Sequence, residues 1–473
     1  MSESEKVAAA LDEEPFDAAA ASAIDEEDRL RPEFVDRVLD AVDAGDDETA
    51  RELVQPLHPA DVADLIELAA RDERDGLVKA LAGIVDADVI AEMNEHVRET
   101  LLDAMEPQQV ADIAAQLESD DAVALIEDLD RDEQEAVLRA MEPDDRAAVE
   151  EALTYPEESA GRLMQRDLVA VPEHWKVGQV IDYLRSTADL PDDFWEVFVV
   201  SPDHHPVGTC KLSLILRTPR ATPVSEIMQR EQTLIPVDMD QEDVALRFQK
   251  YALVSAAVVD DEGRLVGMIT VDDVVHIIQQ EAGEDITLLS GAGEGDINEP
   301  IGMTVRTRVV WLVINLGATI CSASVVGLFQ GEIRKFAILA ALMPIVSALG
   351  GNAGTQTLAV VVRALATNQL TSANTMWMLF REFRIAIANG IALAIVGALG
   401  SYVVLRDAEL SLVFAMALVI NSLVAGLVGV LVPLTLDKAR IDPAVSSAVF
   451  VTTMTDVMGF FSFLGLAALL LVR

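Results

Sequence analysis

Five long apolar stretches in the last third of the chain limit most strongly what this sequence can fold into. They lack ionisable residues or nearly so, and they cover residues 309–329, 336–362, 385–405, 410–436 and 443–472. Each is longer than the roughly 20 residues that a helix needs to cross a bilayer core. The sequence therefore predicts an all-α, five-helix transmembrane domain over residues 309–473.

The basic residues beside these stretches indicate their orientation, because cytoplasmic loops of membrane proteins are enriched in Lys and Arg. With a cytoplasmic N-terminus, the inner side holds Arg306, Arg308, Arg363, Arg381, Arg384, Lys438 and Arg440, and the outer side holds Arg334, Lys335, Arg406 and Arg473. This distribution predicts a multi-pass protein of the cell (inner or plasma) membrane, with its N-terminus in the cytoplasm.

The first two thirds of the chain are strongly acidic. Residues 1–300 hold 23 Lys and Arg against 73 Asp and Glu. No nucleic acid is expected as a partner, because phosphate contacts need clustered Lys and Arg. Such an excess is typical of halophilic proteins, so a solvated surface is the alternative explanation for any acidic cluster. Residues 1–30, rich in Ala, Asp and Glu, are predicted to be disordered and resemble no signal peptide.

Residues 31–154 contain short amphipathic runs, each of which restarts at a polar residue followed by proline. Examples are LHPADVADLIELA from residue 57, MEPQQVADIAAQL from 105 and MEPDDRAAVEEAL from 141. Proline is tolerated in the first turn of a helix and not later, so each proline marks a helix start. Stacked short helices predict an all-α superhelical domain.

Residues 155–285 contain an internal duplication. The segment GRLMQRDLVAVPEHWKVGQVIDYL corresponds to SEIMQREQTLIPVDMDQEDVALRF, and EVFVVSPDHHPVGTCKLSLIL corresponds to AAVVDDEGRLVGMITVDDVV. Each copy predicts an α/β unit. The pair resembles tandem CBS domains. In such domains the Thr270-x-x-Asp273 pattern often meets an adenosine ribose, so the resemblance implies ATP as a cofactor. The first copy has Ser213-x-x-Leu216 instead.

Asp456 is the one Asp, Glu, Lys, Arg or His inside the five apolar stretches. A carboxylate at membrane depth costs about 2.5 to 3.5 kcal/mol and is expected to face a cavity or a partner. No membrane-embedded Lys, Arg or His is available to pair with it. A bound cation or water is the simplest compensation. The alternative is a protonated, hydrogen-bonded structural Asp.

The second stretch contains MPIVSALGGNAGTQ, in which Pro344 and three glycines weaken a helix at mid-membrane. Irregular backbone at that depth is tolerated only where it is buried or lines a water-filled path. Asn352, Thr355 and Gln356 add oxygen atoms suited to hard cations. The alternative is that Gly350 and Gly354 form a GxxxG pair that only lets two helices approach.

Polar residues near Asp456 complete the candidate ion path. Thr452, Thr453 and Thr455 lie within one turn of Asp456. Asp442 precedes Pro443 at the start of the fifth stretch, so helix capping explains it, and metal binding is the alternative.

These intramembrane motifs and the domain order resemble the MgtE family of magnesium channels. The resemblance implies a homodimer with one pore on its two-fold axis, lined by the second and fifth crossings. Asp456 from both subunits would surround a hydrated Mg²⁺, with backbone oxygens near Thr452 and with Asn352 and Asp442 as further candidate metal ligands. Residues 286–308 would form a linker with a plug helix.

Gating is expected to follow from Mg²⁺ binding between acidic faces of the helical and CBS domains. The resemblance places ligands near the end of the second CBS unit, which here are Asp272, Asp273, Glu281, Glu284 and Asp285. The alternative for each of them is a solvated surface carboxylate.

Three other functions compete with this hypothesis. Oxygen ligands do not rank Mg²⁺ against Co²⁺, Mn²⁺ or Ca²⁺. A non-conducting membrane sensor that binds nucleotide through its CBS pair would leave Asp456 without a role. An intramembrane protease would need a second intramembrane Asp, and the chain has neither HExxH nor GxSxG. No enzymatic activity is therefore expected.

Overall fold

The computed structural model describes residues 23–187, 190–191, 194–291, 297–445 and 447–471. The chain forms two compact units, Met1–Ile278 and Gln279–Arg473. Most of the segment predicted to be disordered lies outside the described residues. Its last part, however, is ordered, because Ala23 and Leu30 are buried in the first hydrophobic core.

The helical domain consists of short helices, as the sequence predicts. They are α1 (Pro32–Asp43), α2 (Asp47–Val54), α3 (Pro59–Leu68), α4 (Arg71–Ala80), α5 (Ala87–Ala91), α6 (Glu95–Leu102), α7 (Pro107–Ala114), α8 (Ser119–Glu127), α9 (Arg131–Ala140) and α10 (Pro143–Ala152). Pro59, Pro107 and Pro143 each stand in the first turn of their helix, which confirms the prolines as helix starts. Two successive hydrophobic cores run through the stack.

The duplicated segment folds as two CBS-type units, which confirms the predicted α/β pair. The first contains α11 (Ala160–Leu163), β1 (Ala170–Pro172), α12 (Val177–Ser186), β2 (Glu196–Val200), β3 (Pro206–Lys211) and α13 (Leu212–Arg217). The second contains α14 (Val224–Ile227), β4 (Leu234–Pro236), α15 (Gln241–Tyr251), β5 (Ser255–Val259), β6 (Leu265–Thr270) and α16 (Val271–Ser290).

The two sheets have the same topology. β1 pairs with β2 in parallel and β2 pairs with β3 antiparallel, and β4, β5 and β6 repeat this order. Each antiparallel pair carries an irregularity at the same place, between Val199 and Val200 in one and between Val258 and Val259 in the other. The shared register and bulge are structural evidence of the duplication.

The second unit contains the membrane domain. Its helices are α17 (Ile301–Leu328), α18 (Gln330–Lys335), α19 (Ile338–Ala366), α20 (Thr375–Leu405), α21 (Ala408–Lys438) and α22 (Ser447–Leu470). Among the described residues, five helices are long and apolar enough to cross a bilayer, namely all of these except α18. The predicted five-helix transmembrane domain is confirmed.

Two details differ from the sequence-based expectations. First, α19 runs without interruption through Pro344 and the three glycines, so the backbone there is helical rather than irregular. Packing against the neighbouring helices compensates for the weak local propensity. Second, residues 301–308 are the first two turns of α17 rather than a separate plug helix, and residues 286–290 are the last turn of α16.

Candidate ion-binding sites

The intramembrane carboxylate contacts the second crossing. Asp456 lies half-buried on α22, and its Oδ1 accepts a hydrogen bond from the hydroxyl of Ser347 on α19. The two helices that the sequence analysis singled out therefore meet at this carboxylate. Ser347 was not among the predicted site residues, although it lies inside the PIVSALGGNAGTQ motif.

Asn421 on α21 packs against both of these helices, α19 and α22. Its side chain is 1% exposed, and its Nδ2 donates to the carbonyl oxygen of Val346 at 2.8 Å. A Cβ on Gly350 would lie 2.0 Å from this amide, and one on Gly459 would lie 2.9 Å from it. Asn421 thus occupies the space that the two glycines leave, beside the contact between Ser347 and Asp456.

The glycine motif of α19 serves close packing. A Cβ on Gly354 would lie 2.5 Å from Cγ1 of Val451 on α22. This contact supports the GxxxG interpretation for Gly350 and Gly354. Asn352 and Gln356 are instead on the exposed side of α19, and the hydroxyl of Thr355 donates to backbone carbonyls of its own helix.

The threonines around Asp456 also bond to their own helix. The hydroxyl of Thr452 donates to the carbonyl oxygen of Ala448 at 2.8 Å, and that of Thr453 donates to Val449 at 2.6 Å. The hydroxyl of Thr455 donates to the carbonyl of Thr452 at 2.9 Å. Each hydroxyl thus donates its hydrogen to a backbone carbonyl of α22, and the lone pairs of its oxygen can still accept hydrogen bonds from water.

Two of the predicted metal-binding residues come together at one end of the membrane domain. Oδ1 of Asp442 accepts from the backbone N–H of Ala444 at 2.7 Å, in the turn that precedes α22, so Asp442 does not cap this helix, which begins at Ser447 and not at Pro443. Burial and the nearby Asp442 raise the pKa of Asp285. Glu281, Glu284 and Asp285 have helical i, i+3, i+4 spacing on α16, so they share one face. Two like charges side by side attract a cation.

A second acidic site lies in the other unit, where the helical domain meets the CBS pair. The hydroxyl oxygen of Ser119, the first residue of α8, accepts from the backbone N–H of Arg166 at 2.7 Å. The next residue, Asp120, is 8% exposed, and among the described groups its Oδ1 has no hydrogen-bond partner. Burial first, and then Asp273 and Asp121, raise the pKa of Asp120.

Asp273 is the CBS contribution to this site. Its Oδ2 accepts from the hydroxyl of Thr270 at 2.8 Å, so the two predicted nucleotide-binding residues bond to each other. Burial raises the pKa of Asp273 to about 6, with Asp272 and Asp121 adding to the effect. Asp120 and Asp121 are not among the residues that the sequence predicts for this site. Their only signal is the run of acidic residues in the first turn of α8.

No group of three or more His, Cys, Asp or Glu side chains within the described ranges is arranged to hold a metal ion. The carboxylates of the candidate sites would therefore need hydroxyl, carbonyl and water oxygens to complete a coordination shell.

Each of the three parts of the chain matches a known domain family. The MgtE family profile, described as divalent cation transporter, matches residues 343–466, and the MgtE intracellular N domain matches 57–158. A CBS domain profile matches residues 224–280. The Magnesium transporter MgtE of Thermus thermophilus is 33% identical over 322 residues, 67% of this chain and 71% of the relative. This chain belongs to the MgtE family.

Other MgtE proteins are also similar to it. The Magnesium transporter MgtE of Bacillus subtilis is 30% identical over 315 residues, 66% of this chain and 70% of the relative. A solved cytosolic domain of the Mg²⁺ channel MgtE in complex with ATP is 28% identical, with a TM-score of 0.48, and covers 51% of this chain and 99% of that structure.

The MgtE family range contains the intramembrane site. Ser347, Asn421 and Asp456 all fall within residues 343–466. Asp120 lies in the range of the MgtE intracellular N domain, and Asp273 lies in the range of the CBS profile.

Proposed function

We propose that this chain is a Mg²⁺ channel that works as a homodimer and admits Mg²⁺ down the membrane potential. The observation that carries the proposal is the contact between Ser347 on α19 and the intramembrane carboxylate of Asp456 on α22. The Mg²⁺ specificity named for its relatives supports the choice of ion. On this proposal the chain is a transporter and not an enzyme.

The chemistry of Mg²⁺ suits a site made of few carboxylates. Mg²⁺ loses its water reluctantly and prefers octahedral oxygen geometry, so carboxylates that touch retained water select by size and charge and still release the ion. A divalent ion that crosses a 100 mV potential gains about 4.6 kcal/mol, twice the value for one charge. No other energy source is required.

A second copy of the chain would complete the pore. The side chains of Asn352 and Gln356 are exposed on α19 of one chain, where lipid would leave their amides unsatisfied. A water-filled path on a two-fold axis, lined by α19 and α22 of both copies, would hydrate these amides. It would also bring two Asp456 carboxylates to one ion, close to the Thr452 carbonyls.

Mg²⁺ influx into proteoliposomes tests this function. Asp456→Ala should reduce influx to that of protein-free vesicles, because the pore loses its charge. Asp437→Ala removes an exposed aspartate at the end of α21 and should leave influx unchanged. Influx through Asp456→Ala at the wild-type rate would reject the proposal. Competition by Co²⁺, Mn²⁺ and Ca²⁺ ranks the alternative ions, and a wild type without influx would favour the non-conducting sensor.

Mg²⁺ on the cytoplasmic side closes the channel in this proposal. At the junction of α8 with the second CBS unit, Asp120, Asp121 and Asp273 repel one another, and a divalent cation would neutralise them and hold the two domains together. The buried Oδ1 of Asp120, which lacks a partner among the described residues, supports this assignment. Asp285 and Asp442, with Glu281 and Glu284 nearby on α16, would form a second regulatory site.

Inhibition of influx by internal Mg²⁺ tests the regulatory sites. Alanine at Asp272, Asp273 and Glu281 together should shift the inhibition to higher internal Mg²⁺. A matched control replaces Glu142, Asp144 and Asp145, which are exposed acidic residues at the start of α10, by alanine. Unchanged inhibition in the first triple variant would reject these sensing residues, and an equal shift in both would assign the effect to surface charge.

ATP is the second regulatory ligand that we propose. The ATP complex of a related cytosolic domain supports this choice. Thr270 and Asp273 would exchange their mutual hydrogen bond for bonds to the ribose hydroxyls. ATP titration followed by calorimetry should show binding to the wild type and weaker binding to Thr270→Val. Equal binding by both proteins would contradict the assignment of Thr270.

A further inference from the structure

A cavity of about 490 Å³ lies beside the contact between Ser347 and Asp456. Residues of α17, α18, α19 and α22 line it, and it begins at the end of the membrane domain where α17 passes into α18. Of its lining residues within the described ranges, only Ser347 has a polar side chain. The cavity lining is therefore apolar apart from one hydroxyl group, that of Ser347. This hydroxyl donates a hydrogen bond to the intramembrane carboxylate of Asp456.

Ser347 belongs to a stripe of three cavity residues on α19. Ala340, Pro344 and Ser347 all line the cavity, and their spacing of four and three residues places them on one face of the helix. Pro344 has no N–H, so it cannot donate to the carbonyl of Ala340. Any other residue at position 344 of the helix would donate its backbone N–H to this carbonyl. A carbonyl at this depth needs a donor, and water in the cavity can supply one.

The hydrogen-bond chemistry of this stripe suits a hydrated cation. A serine hydroxyl has one donor and two acceptor sites, so Ser347 can still accept when it donates to Asp456. The water molecules that surround a cation direct their hydrogens outward and act as donors. The Ala340 carbonyl and the Ser347 oxygen can both accept from them.

We propose that Ala340 and Ser347 form a vestibule site, in which a hydrated divalent cation waits before it reaches Asp456. Ser347 is a positioning residue: its hydroxyl donates to the Asp456 carboxylate beside the cavity and accepts from the water shell of the arriving ion. This proposal rests on the proposed function, because it requires Asp456 to lie in the ion path.

The dependence of influx on external Mg²⁺ concentration tests the site. Loss of one charge-assisted hydrogen bond in Ser347→Ala should raise the apparent KM about tenfold and change the maximal influx little. Ser347→Thr keeps the hydroxyl and should restore the wild-type KM. Ser401→Ala is the matched control, because the hydroxyl of Ser401 on α20 donates to the Ala398 carbonyl of its own helix.

Pro344→Ala separates a role in ion binding from a role in folding. The new N–H can donate to the Ala340 carbonyl, so this variant should be more stable to heat and yet have a higher KM. An unchanged KM in both Ser347→Ala and Pro344→Ala would overturn the vestibule site. A lower maximal influx at constant KM would overturn it too, because this result indicates structural damage.

The parallel measurement on Asp456→Ala distinguishes the two proposals. If Asp456→Ala abolishes influx and Ser347→Ala behaves like the wild type, only the vestibule site is wrong. If Asp456→Ala conducts normally, the proposed pore is wrong and the vestibule site falls with it.

Discussion

The amide of Asn421 occupies the position that a side chain on Gly350 would need. A Cβ built on Gly350 lies 2.0 Å from Nδ2 of Asn421, and this Nδ2 donates to the Val346 carbonyl on the same helix as Gly350. The distance between α19 and α21 is therefore set by a glycine and a buried asparagine at the level of Ser347.

Gly350→Ala should destabilise the membrane domain. The added methyl group must displace Asn421 or separate the two helices, and overpacking of this kind typically costs about 1 to 3 kcal/mol. The midpoint of thermal unfolding in detergent measures the effect. Gly400→Ala is the control, because no atom lies within 4 Å of a Cβ at this position of α20. Equal midpoints for the two variants would contradict the packing described for Asn421.

Glu382 on α20 is a buried charge that should stabilise the membrane domain. Its side chain is 4% exposed, accepts from the hydroxyl of Thr357 on α19 at 3.4 Å and pairs with the neighbouring Arg381. Glu382→Ala leaves both partners without this acceptor and should cost about 1 to 3 kcal/mol. Glu382→Gln keeps an acceptor for Thr357 and should cost less. Thermal unfolding in detergent compares them, and a wild-type midpoint for Glu382→Ala would contradict this prediction.

The buried ion pair between Arg98 and Asp128 should make the helical domain sensitive to pH. Burial raises the pKa of Asp128 from 3.8 to about 6, although Arg98 opposes the shift. The folded state therefore binds the proton more tightly than the unfolded state. The contribution of Asp128 to stability is therefore largest below about pH 4 and falls by about 3 kcal/mol as the pH rises from about 4 to about 6.

Asp128→Asn should remove this part of the pH dependence. Hydrogen exchange of the α6 and α8 amides in the full chain, corrected for the intrinsic exchange rate, measures the stability of the domain between pH 4 and 7. The difference between wild type and variant isolates Asp128 from the other carboxylates. A difference that does not change with pH would show that the pKa of Asp128 is ordinary.

The sequence predicts much of this fold because its strongest signals are local. A proline at residue 59, 107 or 143 strongly favours the first turn of a helix, and Asp456 stands out because no other charge lies inside the five apolar stretches.

Partners that come from distant parts of the chain could not be predicted. Ser347 resembles any serine in a membrane helix until the fold brings it to Asp456, 109 residues away. Asp120 is one of 80 acidic residues, and only its burial against the CBS pair distinguishes it. Glu382 lies just before the predicted third stretch. The charges of Glu382 and its neighbour Arg381 interrupt the apolar pattern, so the sequence does not predict that the membrane helix begins in the first turns of α20.

Mg²⁺ influx through Asp456→Asn tests the central claim most directly. Asparagine keeps the size of the side chain and its ability to accept from Ser347, and removes only the negative charge. With the variant inserted into vesicles in the same amount as the wild type, we predict influx at the level of protein-free vesicles at saturating external Mg²⁺. Saturable influx at more than half of the wild-type rate would contradict the claim that this carboxylate carries the ion.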